Sequence, residues 1–218
     1  MKSAADHPAP ADSQGRRAVF LDRDGTIIED VAYLRDREQV RLLPGAANAI
    51  KRLNANGLLA IVVTNQSGIA RGLLSRNDYQ QAERRVDELL AQEGAKLDAH
   101  YFCPHLPELT GPCDCRKPGA LLYRQAAEQF HIDLARSWWV GDRMRDVLPA
   151  NTLGGRGILL ISGAGEAEAG DEKASRFPQV RDLAGAVELI LKEVGSRESG
   201  VGWLNPGTRG VGPSLRSG

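Results

Sequence analysis

Short, continuous apolar runs alternate along the chain with longer stretches in which apolar residues recur every three or four positions. The runs at 18–21, 58–63, 137–140 and 157–161 are too short for helices and read as strands, the first buried and that at 58–63 buried on both faces. A further run at 99–102 reads as a short strand. Between them, Ala46, Ala47, Ile50 and Leu53 mark a helix over 44–56, opened by Pro44-Gly45 and closed by Gly57. Ser75 and Asp78 form a capping-box pattern ahead of a second helix, whose Tyr79, Ala82, Val86, Leu89 and Leu90 share one face and which stops near Gly94. Further helices are expected at 118–131, 146–153 and 182–194. Strands alternating with helices predict an α/β fold, a mostly parallel sheet with helices on both faces. No insertion is long enough for a large cap domain, so the site should be open and shaped by loops.

The 218 residues suit one domain over 18–194, with a polar lead-in at 1–17 and a Gly-, Ser-, Pro- and Arg-rich tail at 195–218, both expected to be disordered. Lys plus Arg and Asp plus Glu are 28 each, so no global field points to nucleic acid or a membrane surface. No apolar run approaches a bilayer span, and the start lacks the apolar middle of a secretory signal. A cytoplasmic protein is the expectation. All three cysteines fall between positions 103 and 115, which argues against a disulfide framework and for a metal.

The first strand ends in Asp22-Arg23-Asp24-Gly25-Thr26. In an open α/β sheet, ligands bind beyond the carboxyl ends of the strands. Two carboxylates held close together there repel each other, and a hard cation such as Mg²⁺ would relieve the repulsion. A strand ended by a solvated Asp-Gly turn is the alternative for these residues taken alone. Thr64 and Asn65 end the second strand and can donate to a phosphoryl oxygen, although a Thr there also commonly serves local backbone. Arg116-Lys117-Pro118 could hold phosphate charge or merely open a helix. Gly141-Asp142 at a further strand end could complete a Mg²⁺ shell or form an ordinary turn, with Asp146 as a supporting partner or helix cap. Cys103, His105, Cys113 and Cys115, spaced C-x-H-x₇-C-x-C, offer the four ligands of a tetrahedral structural zinc. Small buried thiols beside a surface His, or a redox pair at Cys113 and Cys115, are the alternatives.

In this order, the pieces resemble the motifs of the haloacid dehalogenase (HAD) superfamily of phosphotransferases. The stretch from Phe20 to about Ile161 is most similar to the phosphatases of that superfamily that lack a cap and carry a zinc loop. These include enzymes acting on histidinol phosphate and on D-glycero-D-manno-heptose 1,7-bisphosphate. The longer strings, Asp22 to Ile28, Thr64 to Gly72 and Cys103 to Pro118, fit the heptose type best. Two features depart from it: a short interval between His105 and Cys113, and Arg143 where Lys is frequent. The resemblance implies a Rossmann-like fold and a sugar-bisphosphate phosphatase serving nucleotide-activated heptose and surface lipopolysaccharide. The implied nucleophile is Asp22 and the acid/base Asp24, with Thr64 and Lys117 on the phosphoryl oxygens. Mg²⁺ would rest on Asp22, Asp24 (through its carbonyl) and Asp142, and zinc on the cysteine loop. Substrate contacts are expected from Asp30 and Tyr33, from Asn65, Gln66, Ser67 and Arg71, and from Arg116 and Arg143. The partner is then a small phosphorylated sugar, with no nucleic acid or membrane, and the chain is expected to be a monomer. The alternatives are another small phosphomonoester hydrolase, histidinol-phosphate phosphatase foremost, and a zinc-containing binding module without turnover.

Overall fold

The structure, a computed structural model, describes residues 15–162 and 172–198; the expectations for 1–14 and 199–218 lie outside the described residues. Six parallel strands form one sheet in the order β3-β2-β1-β4-β5-β6. They are β1 (Ala18–Leu21), β2 (Leu59–Asn65), β3 (Ala99–Cys103), β4 (Trp138–Gly141), β5 (Arg156–Leu160) and β6 (Gln179–Val180).

The continuous apolar runs are explained by what lies on each face. Along β1, Val19 and Leu21 face a core layer that includes α1 (Ala46–Ala55), α3 (Arg76–Gln92) and α8 (Leu183–Glu198). Ala18 and Phe20 face the opposite layer, with Tyr123 and Ala126 of α5 (Leu121–Phe130). Leu59, Ile61 and Val63 alternate with Ala60 and Val62 in the same way. Trp139 and Tyr123 pack around Phe20, with ring centroids 5.0 and 5.1 Å from it. The remaining short helices are α2 (Ser67–Ala70), α4 (Pro107–Thr110), α6 (Met144–Val147) and α7 (Pro149–Leu153).

Several boundaries differ from expectation. The chain is paired before residue 18: the Arg16 N–H donates to the His131 carbonyl at 2.8 Å, and Asp133 donates back to the Arg16 carbonyl. The helix expected from Pro118 starts at Leu121, because residues 116–120 form a turn closed by Gly119 N–H on the Arg116 carbonyl. The expected 146–153 helix is two short ones. The last helix runs to Glu198: one exposed glycine, Gly195, costs a helix only about 1 kcal/mol, and Ile190 and Val194 dock on the core. Strand β6 was not expected. Among the described residues there is no cap domain, and no helix is long and apolar enough to cross a membrane.

Candidate active site

The strand order changes direction at β1 and β4. The chain leaves β1 for β2 on one side of the sheet, and β4 leads to β5 on the other. The crevice beyond such a switch point is where open α/β sheets bind ligands. The register pairs Leu21 with Val140, so the next residues, Asp22 and then Asp142, reach that crevice side by side, and the Asp22 N–H donates to the Val140 carbonyl at 3.0 Å. Gly25 (φ 78°) makes room for the pair, since a Cβ there would lie 2.5 Å from Asp142 Oδ2.

Asp22, Asp142 and Asp146 are all buried, with ligand oxygens within 4.8 Å of one another. Lys117, buried as well, joins two of them: Nζ lies 2.7 Å from Asp22 Oδ1, 2.7 Å from Asp146 Oδ1 and 2.7 Å from the Val63 carbonyl. Burial alone would lower its pKa, but Asp146 and Asp22 outweigh burial and hold it above the ordinary value. Asp142 has no such cation. Burial, then the charges of Asp22 and Asp146, push its pKa up to about 7, and its Oδ1 is buried without a hydrogen-bond partner. Burial also raises Asp146, to about 6, against the pull of Lys117. An orphaned buried oxygen beside a second carboxylate is an arrangement that a hard divalent cation fits. Asp146 Oδ2 also accepts the Arg143 N–H at 3.0 Å at the start of α6, the helix-cap contact foreseen for it.

Asp24 turns its carboxylate away from this cluster. Arg23, buried and stacked 5.2 Å from the Tyr79 ring, grips it with Nε and Nη2 at 3.1 and 2.9 Å from Oδ1. Gln66 Nε2 adds a bond to Asp24 Oδ2 at 2.9 Å and one to Thr64 Oγ1 at 3.0 Å. This clamp was not apparent from the sequence; Arg23 reads there as one more polar loop residue. Asp24 stands between two lobes of one groove. The first, of about 100 Å³, is lined by Asp22, Asp24, Asp30, Thr64, Asn65, Lys117, Arg143 and Arg145. The second, of about 170 Å³, shares Asp24, Asp30 and Asn65 and adds Gln66, Ser67 and Tyr33. Tyr33, in left-handed backbone (φ 55°), lays its ring over Gly68, where a Cβ would come within 2.7 Å of it.

The groove therefore gathers most of the residues expected from the sequence. Two stand apart. Arg71 is exposed and lines neither lobe, and Arg116 also lines neither, its Nη1 donating to the His105 carbonyl at 3.1 Å. Arg145 lines the first lobe and was missed, because an Arg one residue before the helix-capping Asp146 looks like a solvated charge.

Cys103, His105, Cys113 and Cys115 converge at the end of β3, with all ligand atoms within 4.8 Å of one another. Cys103 Sγ lies 3.8 Å from Cys113 Sγ and 3.1 Å from Cys115 Sγ, and His105 Nδ1 lies 3.2 Å from Cys115 Sγ. Burial and the adjacent sulfurs push Cys115 up to about 12, so the thiols cannot all ionise without a cation among them. The donor set suits a tetrahedral metal site. Asn65 ties this loop to the crevice: its Oδ1 accepts the Lys117 N–H at 2.9 Å and its Nδ2 donates to the Lys117 carbonyl at 3.3 Å.

A parallel sheet with acids, a hydroxyl and a buried lysine at its switch point defines a HAD-type phosphatase, a phosphoric monoester hydrolase. The profile of the HAD-hydrolase-like family matches residues 114–186. D-glycero-beta-D-manno-heptose-1,7-bisphosphate 7-phosphatase of Haemophilus ducreyi is 42% identical over 166 residues, 73% of this chain and 91% of the relative. The D-glycero-D-manno-heptose-1,7-bisphosphate 7-phosphatase of Thermosynechococcus vestitus is 40% identical over 84% of this chain and 99% of its own. The D,D-heptose 1,7-bisphosphate phosphatase of B. bronchiseptica, crystallised with magnesium and phosphate, superposes with a TM-score of 0.73 at 34% identity, covering 81% of this chain and 99% of that one. The chain belongs to the heptose bisphosphate phosphatase family within the HAD-like hydrolases.

Proposed function

We propose that this protein removes the 7-phosphate of D-glycero-D-manno-heptose 1,7-bisphosphate through an aspartyl-phosphate, in a Mg²⁺-dependent reaction. The observation that carries this reading is the triple engagement of Lys117, which presents Asp22 at the mouth of a groove beside the orphaned Asp142 oxygen. Asp22 attacks phosphorus in line, forming a carboxylate oxygen–phosphorus bond as the bond to the sugar oxygen breaks. Asp24, swinging from Arg23 and Gln66, gives the leaving oxygen its proton. It then takes a proton from a water, which attacks the phosphorus of the aspartyl-phosphate and frees Asp22. Thr64 Oγ1, the Asn65 amide and Lys117 hold the phosphoryl oxygens. Asp22, Asp142 and the Asp24 carbonyl would hold Mg²⁺, which when bound neutralises phosphoryl charge. The second lobe, with Tyr33, Gln66 and Ser67, takes the sugar.

The cysteine cluster is assigned to zinc with a structural role, because four protein ligands leave no open position. The enzyme acts as a monomer in the cytoplasm, on the route to nucleotide-activated heptose. The test is phosphate release with Mg²⁺ from α- and β-heptose 1,7-bisphosphate, histidinol phosphate and fructose 1,6-bisphosphate, with Asp22→Asn as the control. A strong preference for a heptose bisphosphate, lost in the variant, is the expected result. Comparable slow rates on all four would discard the substrate, and no release from any would discard the enzyme reading.

A further inference from the structure

Between the two aspartates of the first loop stands a cation that the reaction itself does not use. The Arg23 side chain is 2% exposed, against 21% for Asp24. Burying a guanidinium costs desolvation free energy, so such a charge is found paired. Among the described residues the carboxylate it bonds is Asp24 alone: Nε and Nη2 donate to Oδ1 at 3.1 and 2.9 Å, and Nη2 also reaches Oδ2 at 3.1 Å. Nη1 is buried without a hydrogen-bond partner. The guanidinium lies 5.2 Å from the ring centroid of Tyr79, which is fully buried and packs on Phe102 with centroids 4.2 Å apart. A buried ion pair that leaves a donor unsatisfied is weak evidence of stability gained, and apolar residues of similar volume often serve as well in such a place. The cation is explained by what it holds.

The backbone around the held group is fixed. The Arg23 carbonyl accepts the Ile27 and Ile28 N–H groups at 2.9 and 3.1 Å, and the Gly25 N–H donates to the Ile28 carbonyl at 2.8 Å. Asp24 can therefore move only by turning about its side-chain bonds, and the clamp treats its two oxygens differently. Oδ1 takes the two-pronged contact from Arg23, whereas Oδ2 shares Nη2 and takes a bond from Gln66 Nε2 at 2.9 Å. The same Gln66 nitrogen donates to Thr64 Oγ1 at 3.0 Å, so a single amide nitrogen separates Oδ2 from the hydroxyl assigned to the phosphoryl group. Oδ2 is thus the oxygen on the phosphoryl side, and Oδ1 the one gripped from behind. Arg23 is no proton donor, because a guanidinium does not deprotonate in proteins. What it can set is the rest position of the carboxylate and which oxygen leads.

We propose that Arg23 is the positioning residue of the acid/base: braced on Tyr79, it holds Asp24 by Oδ1 so that Oδ2 is presented to the leaving oxygen of the substrate. The proposal rests on the reading of Asp24 as the proton donor. A sugar oxygen needs that proton to leave, whereas nitrophenolate leaves without one. The test measures kcat/KM of the full chain with Mg²⁺ on heptose 1,7-bisphosphate and on p-nitrophenyl phosphate, for wild type, Arg23→Met, Arg23→Lys, Asp24→Asn and the double variant Arg23→Met/Asp24→Asn. Arg23→Met should lower the sugar-to-aryl ratio about 10- to 100-fold, and Arg23→Lys should recover part of it. Asp24→Asn should lower the ratio at least as far, and adding Arg23→Met to it should lower it no further, because Arg23 acts through Asp24. Tyr79→Leu removes the brace and leaves every charge in place. It should lower the ratio by a smaller factor, and it carries the test if Arg23→Met does not fold. Equal losses on both substrates, an unchanged ratio, or a further fall in the double variant would each overturn the assignment. An unchanged ratio in Asp24→Asn, or no turnover of the heptose bisphosphate by wild type, would instead overturn the reading on which the assignment rests, and the assignment with it.

Discussion

The carboxylate cluster and the cysteine cluster both gather ligands that repel one another, and they hold them together by different means. Asp22, Asp142 and Asp146 come from two strand ends far apart in sequence and meet only once the sheet is formed. They also contain a cation of their own, Lys117, ion-paired with two of the three. Cys103, His105, Cys113 and Cys115 come from one loop and have no internal cation. On the proposed reading, in which each cluster holds a metal, the first should therefore survive its loss as a shape and fail as a catalyst, whereas the second should fail as a shape.

The largest effect expected on that contrast is Asp22→Asn, which should lower kcat by about 10³-fold or more while leaving the cysteine-bound metal in place, checked by turnover and metal analysis. Lys117→Met should blur the contrast, because Asp22 and Asp146 would stay buried without a partner. We expect a loss of about 3–5 kcal/mol in denaturant titration of the Mg²⁺-free protein. Cys115→Ser should release the loop's metal and remove the stabilisation it gives, about 2.7 kcal/mol for free zinc at 100 times Kd, read as a drop in Tm. Turnover should fall too, since Lys117 lies two residues away.

A smaller effect concerns pH. The folded-state pKa of Asp142 is raised to about 7, so its ionised form weighs against the metal-free fold above that pH. Lowering the pH from 8 to 6 should thus raise the Tm of the Mg²⁺-free protein, the reverse of the usual carboxylate behaviour. Over the same range a proton competes for the ligand oxygen, and Mg²⁺ affinity should fall about tenfold per unit below 7, measured by calorimetry. The smallest effect is a control remote from both clusters. Ser75 and Asp78 cap α3 reciprocally, and Ser75→Ala should cost about 1 kcal/mol of stability without altering kcat.

The same contrast explains what the sequence could disclose. The cysteine set was visible because its spacing is local, and β1, β2 and β4 because strands buried on both faces must be apolar throughout. Asp22, Thr64 and Asp142, at the ends of such strands, and Lys117, in the turn after the cysteine loop, could be named because their motifs resemble those of the family. Their bonding could not, because Lys117 lies 95 residues from Asp22 and the ion pair exists only through the fold. Strand β6 has two residues, neither fully buried, and leaves no apolar trace. Arg23, Arg116 and Arg145 are alike as letters. Burial over Tyr79, a turned loop and an open rim give them three different surroundings.

Asn65 stands at both doors of the cysteine loop. Its backbone pairs in register with Cys103, where the loop departs, and its side chain grips Lys117, where the loop returns. The intervening residues thus form a cassette closed on a single amide. That amide holds the lysine at its place whatever the path the chain takes between the two anchor points.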